Sequence, residues 1–190
     1  YTSNNQFLVS QNLKVEEFLP DRIKVKSSLS KTQYTHLDNR VDVEVEAVNF
    51  FGPPAANKNY ELRMQWERVP FRARDYGDYR FNYHKLNSPI YDITRSGVTD
   101  EEGKAFEQVA MPDFKNNGLI NLTAFATVFD ETGRPVNVIN RAKIFTQEVF
   151  YGLRSSDYWV KTGSSVKTDL IAVDEDGKVL NGRNAQVRVS

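Results

Sequence analysis

Few side chains in this sequence could do acid–base or nucleophilic chemistry. His36 and His84 are its two histidines, and it has no cysteine. A histidine could serve in a Ser-His-Asp arrangement, but no Gly-x-Ser-x-Gly turn is present to display the serine. The lack of cysteine excludes disulfides, thiolate metal ligands and an internal thioester in this segment. We therefore predict no catalytic residue and expect both histidines on the surface.

Two acidic runs, Asp100–Glu102 and Asp174–Gly177, could offer carboxylate oxygens to calcium. Neither has the ligand spacing of an EF-hand loop, and the second lacks the closing glutamate. Aspartate in a short polar run with glycine is typical of a turn whose carboxylate binds its own backbone. The runs therefore predict turns, and we predict no metal and no other cofactor.

An arginine-rich and aromatic segment could form a contact surface for another molecule, because such residues are enriched at interfaces. Acidic residues interleave with its arginines, and the chain has 25 basic and 25 acidic residues. Nucleic-acid binding is therefore not predicted. A carbohydrate or a protein fits such a surface better, and the default interpretation is an edge of the domain. The proposed surface consists of Trp66, Phe71, Arg72, Tyr76 and Tyr79.

The elements that carry these residues are predicted to be strands. Val41, Val43 and Val45 alternate with acidic residues, which indicates a strand with one buried and one solvated face. The same period of two recurs at 60–66, and again further along, with turn-forming residues between the runs. No helix is convincing, and no apolar run is long enough to cross a bilayer. The patterns predict an all-β, antiparallel sandwich of the immunoglobulin-like or fibronectin-III-like class.

An internal echo indicates two units in tandem. Segment 173–180 repeats the pattern of segment 129–136, because each follows an alternating strand and contains an acidic turn, a glycine and a basic residue. The echo predicts two similar sandwiches with a junction near residues 148–152. The chain beyond Phe150 has room for about three strands, so the second unit leans on the first or is incomplete.

Two motifs carry a resemblance to a known family. The run Val15–Phe18 reads Val-Glu-Glu-Phe and is followed by Pro20–Arg22, while Asn49–Ala56 reads Asn-Phe-Phe-Gly-Pro-Pro-Ala-Ala. The first motif resembles a junction between two macroglobulin (MG) domains of bacterial α2-macroglobulins, and the second is similar to a loop of such a domain. Proline cannot donate a ladder hydrogen bond, so both motifs also have a structural meaning as strand breaks.

The resemblance implies antiparallel, seven-stranded macroglobulin sandwiches in series. Residues 1–20 would hold the end of the preceding macroglobulin domain or a linker, residues 21–148 one complete domain, and residues 149–190 the first strands of the next, incomplete one. The important residues would lie at the boundaries and in one loop. They are Phe18, Pro20, Arg22, Gly52, Pro53, Pro54, Tyr151 and Gly152.

The resemblance also implies a function without catalysis. In this family a protease cleaves a bait region, the domains rearrange, and the protease is trapped. A thioester in a Cys-Gly-Glu-Gln motif can couple covalently to the trapped protease. That motif is absent from this sequence. We expect a structural segment of an endopeptidase inhibitor, exported to the periplasm or cell surface without insertion into a membrane. Its partners would be neighbouring macroglobulin domains, and proteases would be targets of the intact parent. The alternative is an independent β-sandwich module that binds carbohydrate or acts as an adhesin.

Overall fold

The computed structural model of the chain describes residues 22–81, 89–114, 117–156, 159 and 161–183. Phe18, Pro20 and His84 lie outside these residues. Inside them, no helix is long and apolar enough to cross a membrane. The described strands are β1 Ile23–Leu29, β2 Gln33–Thr35, β3 Arg40–Asn49, β4 Asn59–Val69, β5 Pro89–Val98, β6 Lys104–Ala110, β7 Leu119–Phe129, β8 Pro135–Phe145, β9 Phe150–Ser155 and β10 Thr168–Val173.

The strands from β1 to β8 form two facing sheets. One has the order β1-β3-β6 and the other the order β2-β8-β7-β4-β5. Every pairing in the two sheets is antiparallel except that of β2 with β8. The prediction of an all-β sandwich is therefore confirmed.

Alternation along the strands builds the core between the sheets. Val41, Val43 and Val45 on β3 are buried, as the period of two predicts. The same alternation of buried and exposed residues holds on β4 and β7. Each large apolar side chain that becomes buried stabilises the fold by about 1.5–3 kcal/mol. The buried residues of β4 and β7 include Tyr60, Leu62, Met64, Trp66, Ile120, Leu122, Ala124, Ala126 and Val128.

The described part of residues 21–148 contains eight strands instead of the seven expected. The additional strand is the short β2, in which Tyr34 lies opposite Ile144. Tyr34 is buried, and its hydroxyl lies 3.1 Å from the Ser30 Oγ. Burial of this one ring places the segment beside β8, and so short a strand leaves no alternation in the sequence.

The two ends of the sandwich are built differently. At the near end, the described chain begins with Arg22, and three connections join β3 to β4, β5 to β6 and β7 to β8. At the far end, β4 leads into a connecting segment, residues 70–81, and β8 leads through residues 146–149 into β9. β9 and β10 pair with each other as an antiparallel hairpin, with Tyr151 opposite Ala172. The hairpin supplies two described strands where the sequence has room for about three.

Candidate functional site

Aromatic rings from several segments are buried together at the far end. Phe71 and Phe81 belong to the connecting segment, Phe145 ends β8 and Phe150 begins β9. The rings of Phe71 and Phe150 stack with their centroids 3.9 Å apart, and Phe145 meets Phe150 edge-on at 6.0 Å. Such aromatic pairs contribute about 0.5–1.5 kcal/mol beyond the burial of their area. We define the junction cluster as Phe71, Ala73, Phe81, Leu119, Phe145, Phe150 and Val173.

Gly152 allows the hairpin to approach the connecting segment closely. A Cβ at this position would lie 2.6 Å from Cε1 of Phe81 and 3.0 Å from Cγ2 of Ile171, which a packed interior does not tolerate. The neighbouring Tyr151 is half-buried in the same strand. The structure thus places both residues where the hairpin packs on the sandwich, and their role at a domain boundary stays a prediction.

Backbone contacts also join the hairpin to the connecting segment. The Arg80 N–H donates to the Leu153 carbonyl at 2.8 Å, and the Leu153 N–H donates back at 2.9 Å. The turn after β10 also lies close to the connecting segment: a Cβ on Gly177 would be 3.2 Å from the Ala73 Cβ. The connecting segment therefore joins the edge of the hairpin sheet through one isolated bridge, between Arg80 and Leu153.

Arg154 adds a charged contact at the rim of the junction cluster. Its guanidinium donates to Asp78 at 2.5 Å and to Asp169 at 2.7 Å, and it lies 4.7 Å from the centroid of the Tyr79 ring. Hydrogen bonds from Arg154 hold the pKa of both carboxyl groups below the usual range. The three charged side chains are about half exposed, so water and salt weaken this contact.

The link from β8 to β9 is short and is tied to the sandwich. Thr146 is buried, and its N–H and its hydroxyl both donate to the Gly118 carbonyl, at 3.0 and 2.9 Å. The Gln147 side chain donates to the Val149 carbonyl at 2.8 Å. The Thr146 contacts anchor the start of the link to Gly118, and the Gln147 hydrogen bond lies within the link.

His36 lies beside this link on the turn after β2. Its Nε2 lies 3.5 Å from Oε1 of Glu148, and the imidazole is partly exposed. His84, the other candidate, falls outside the described residues. Among the residues that the structure describes, no three His, Cys, Asp or Glu side chains lie close enough to hold a metal ion.

The acidic runs form turns that bind their own backbone, as predicted. The Asp174 carboxylate accepts from the N–H groups of Asp176 and Lys178 at 3.1 and 2.8 Å, and Asp100 accepts from the N–H of Lys104 at 2.7 Å. Asp130 makes the same type of turn, so the echo in the sequence is a repeated turn structure. The donated hydrogen bonds, first that of the Thr132 hydroxyl, lower the pKa of Asp130.

The prediction that Trp66 and Phe71 belong to an exposed interaction surface is wrong. Trp66 is fully buried and packs against the rings of Tyr91 and Phe114, with centroids 5.3 and 6.3 Å away. It continues the inward phase of β4, and Phe71 belongs to the junction cluster.

The remaining residues of the proposed surface lie on the connecting segment. Arg72 is exposed, whereas Tyr76 and Tyr79 are half-buried with their rings edge-on at 5.9 Å. An interaction of these three residues with another molecule stays a prediction.

Arg22 is placed at the near end by two contacts. Its carbonyl accepts from the Phe50 N–H at 2.8 Å, and its guanidinium pairs with Glu131 at 2.9 Å. The hydrogen bond and charge of each partner raise the pKa of Arg22 and lower that of Glu131. These contacts fasten the start of β1 to the β3–β4 and β7–β8 connections.

The Gly-Pro-Pro loop folds back on the end of β3. The Asn49 N–H donates to the Pro53 carbonyl at 2.8 Å, and the Asn49 side chain donates to the Pro54 carbonyl at 3.0 Å. Gly52 has a φ of 103°, a conformation that other residues rarely adopt. Phe51, at the tip, is 93% exposed. The boundary role of Arg22 and of this loop stays a prediction.

Sequence reasoning missed Phe81, Phe150 and Arg154. The two phenylalanines flank polar stretches, and a search for rings at the edges of an expected junction could have found them. Arg154 and Asp78 are 76 residues apart, so no local pattern connects them.

The chain matches the family model described as the bacterial α2-macroglobulin MG5 domain over residues 21–144. It is 26% identical over 183 residues to an α2-macroglobulin of Pasteurella multocida, covering 90% of this chain and 9% of that protein. An α2-macroglobulin of Rickettsia conorii is 27% identical over 187 residues, which cover 95% of this chain and 10% of that protein. The chain thus spans about a tenth of the length of these curated relatives.

Solved structures show the same fold. The native conformation of Escherichia coli α2-macroglobulin aligns with a TM-score of 0.60 and 18% identity, covering 85% of this chain and 11% of that one. The E. coli protein activated by porcine elastase aligns with a TM-score of 0.62 and 17% identity, covering 85% of this chain and 15% of that one. Both therefore contain the sandwich found here.

Proposed function

Because the chain belongs to the bacterial α2-macroglobulin MG5 domain family, we propose that it is a structural segment of an inhibitor that traps endopeptidases after bait cleavage. Residues 21–148 would be one macroglobulin domain, and residues 149–190 would begin the next. The observation that carries this proposal is the junction cluster. In it, Phe150 of the hairpin stacks on Phe71 of the connecting segment and meets Phe145 of β8 edge-on.

The proposed mechanism is mechanical coupling. A rotation of the hairpin about residues 146–149 has to separate the Phe71–Phe150 stack and break the backbone pair between Arg80 and Leu153. Because interiors are closely packed and resist gradual deformation, the two units move together. The segment would thereby pass a rearrangement from one macroglobulin domain to the next.

The proposal assigns the chain no catalytic residue and no cofactor. Its partners are neighbouring domains of the parent chain, and proteases are targets of that parent, which we propose to be exported to the periplasm or cell surface. A carbohydrate-binding or adhesin module lacks a supporting observation, because Trp66 and Phe71 are buried.

Two glycine substitutions in the full-length parent test this role. Gly152→Ala inserts a methyl group against Phe81 at the junction, whereas Gly97→Ala inserts one 2.8 Å from the ring of Tyr60 inside the sandwich. We expect both to lower thermal stability, but only Gly152→Ala to reduce the amount of trypsin that stays active on a small substrate while protected from a large inhibitor. Equal trapping by the two variants would contradict the proposal.

A further inference from the structure

We propose that the edge of β6 that pairs with no described strand binds an extended polypeptide segment with alternating apolar and basic residues, which becomes a fourth strand of the three-stranded sheet. This inference rests on the sheet geometry and is independent of the proposed function. The recognition would be strand addition, in which backbone hydrogen bonds supply affinity and alternate side chains supply selectivity.

The backbone of β6 has one partner strand among the described residues. The Ala47 N–H donates to the Gly103 carbonyl, and the Met111 N–H donates to the Asn39 carbonyl, each at 2.8 Å. Because antiparallel pairing alternates, the odd-numbered residues of β6 direct their backbone groups towards β3. The backbone N–H and C=O groups of Phe106 and Gln108 therefore point away from it, and β6 pairs with no other described strand.

On the β6 side, the three-stranded sheet leaves the inner face of β5, the edge strand of the five-stranded sheet, partly exposed. In the pairing of β4 with β5, Trp66 lies opposite Tyr91 and Leu62 lies opposite Arg95. These pairs share the inner face, yet Trp66 is fully buried whereas Tyr91 is 41% exposed. A strand added beside β6 would cover Tyr91 on the inner face of β5, so the inward side chain that it places there should be apolar.

The side-chain surroundings favour lysine or arginine on the outward positions of the added strand. A depression of about 500 Å³ opens between the end of β5 and the start of β6, and Glu44 and Asp100 line it together with Lys104. The exposed Phe106 and Val98 border it and offer apolar contact. Lys104 Nζ lies 3.9 Å from Oε1 of Glu44, so these three side chains carry one net negative charge. A basic side chain within a Debye length is attracted to that charge.

A strand with this alternation already occupies the opposite edge of the same sheet. On β1, Lys24 and Lys26 alternate with the inward-facing Ile23 and Val25, and Lys26 lies opposite Glu46 of β3. The proposed occupant therefore has the pattern of β1, and the sequence Ile-Lys-Val-Lys-Ser-Ser-Leu provides a probe.

The test titrates the 190-residue chain with this peptide, acetylated and amidated, while calorimetry and amide NMR follow binding. We expect saturable binding and slowed exchange of the Phe106 and Gln108 amides. Gln108→Pro removes an N–H that points away from β3, so binding should weaken at least about tenfold, since a hydrogen bond and its geometry are lost. Gln108→Ala keeps the N–H and should bind like the unmodified chain.

Three outcomes would overturn the proposal. The first is no saturable binding of the alternating peptide. The second is that Gln108→Pro and Gln108→Ala bind the peptide equally well, or that the unmodified chain binds a peptide of the same composition with adjacent lysines as tightly as the alternating one. The third is altered exchange confined to β1 and β3, which would show displacement of β1 instead of addition beside β6.

Discussion

The two ends of the sandwich both carry aromatic side chains but use them differently. At the far end, Phe71 and Phe150 come from opposite sides of the link and are buried against each other. At the near end, Phe50 and Phe51 lie edge-on at 5.5 Å on a loop that closes on itself, and Phe51 is almost fully exposed. The same residue type therefore stabilises a junction only where a second segment covers it.

The ends also differ in how charge is used. Arg154 at the far end binds carboxylates of both the hairpin and the connecting segment, whereas Arg22 at the near end binds a turn of the same sandwich. Both contacts are exposed, and exposed ion pairs contribute little to stability. The packing of rings, and not the ion pairs, should therefore determine how firmly the hairpin is held.

The largest contrast should come from truncating one ring at each end. Phe150→Ala leaves a cavity in the junction cluster and should lower the free energy of unfolding by about 3–5 kcal/mol. Phe51→Ala removes an exposed ring and should change it by less than about 0.5 kcal/mol. Urea unfolding of the 190-residue chain measures both, and similar losses would refute the contrast.

A second comparison, between two glycines at the near end, separates the cost of a steric clash from the cost of an unfavourable turn conformation. Gly103 and Gly133 occupy corresponding turn positions with φ of 75° and 80°, so alanine is strained at either, by about 1–2 kcal/mol. Only at Gly103 would the Cβ also meet a backbone atom, the Ala47 oxygen, at 2.3 Å. We expect Gly103→Ala to cost at least about 1 kcal/mol more than Gly133→Ala in the same unfolding assay. Equal costs would show that the turn conformation alone decides.

Acid should loosen the far end through Arg154. The folded-state pKa of Asp78 and of Asp169 is lowered, so their contribution is present above the ordinary pKa of about 4 and is lost as pH falls through the folded-state values. In a carboxyl-carbon NMR titration, Arg154→Gln should raise the pKa values of Asp78 and Asp169 towards the ordinary value for aspartate. The Asp130 titration at the near end should stay unchanged, and a parallel change there would indicate general unfolding.

Alkali should act on the near end through Tyr60. Burial and a hydrogen bond to Glu107 raise the pKa of Tyr60 to about 12. The neutral phenol is therefore favoured by the fold below the ordinary pKa of about 10, and that stability is lost as pH rises towards the folded-state value. Glu107→Gln should lower the pKa of Tyr60, measured as the difference in tyrosinate absorbance from Tyr60→Phe. An unchanged value would assign the effect to burial alone.

Local patterns in the sequence predict much of this fold. The alternation at Val41–Val45 indicates which face of β3 is buried. The Asp-x-x-Gly runs indicate tight turns, because their carboxylates bind the adjacent backbone. Trp66 continues the alternation of Tyr60, Leu62 and Met64, so its burial was also available from the sequence. The prediction that Trp66 belongs to a contact surface follows the arginine-rich and aromatic composition of the segment and neglects the alternation along β4.

The junction was harder to predict because its contacts join distant parts of the chain. The stacking of Phe71 on Phe150 and the binding of Arg154 to Asp78 depend on how the hairpin returns to the connecting segment. A single sequence contains no local signal for such pairs. The expected boundary near residues 148–152 therefore indicated a region but not the rings that fill it.

The most direct test that the junction cluster packs the hairpin on the sandwich is hydrogen exchange of the Leu153 amide, which donates to the Arg80 carbonyl. In the unmodified chain we predict protection approaching that of Ala124 in the middle of β7. In Gly152→Ala, Leu153 should lose protection while Ala124 keeps it. A Leu153 amide that exchanges freely in the unmodified chain would contradict the account, because the hairpin would then not be packed on the sandwich.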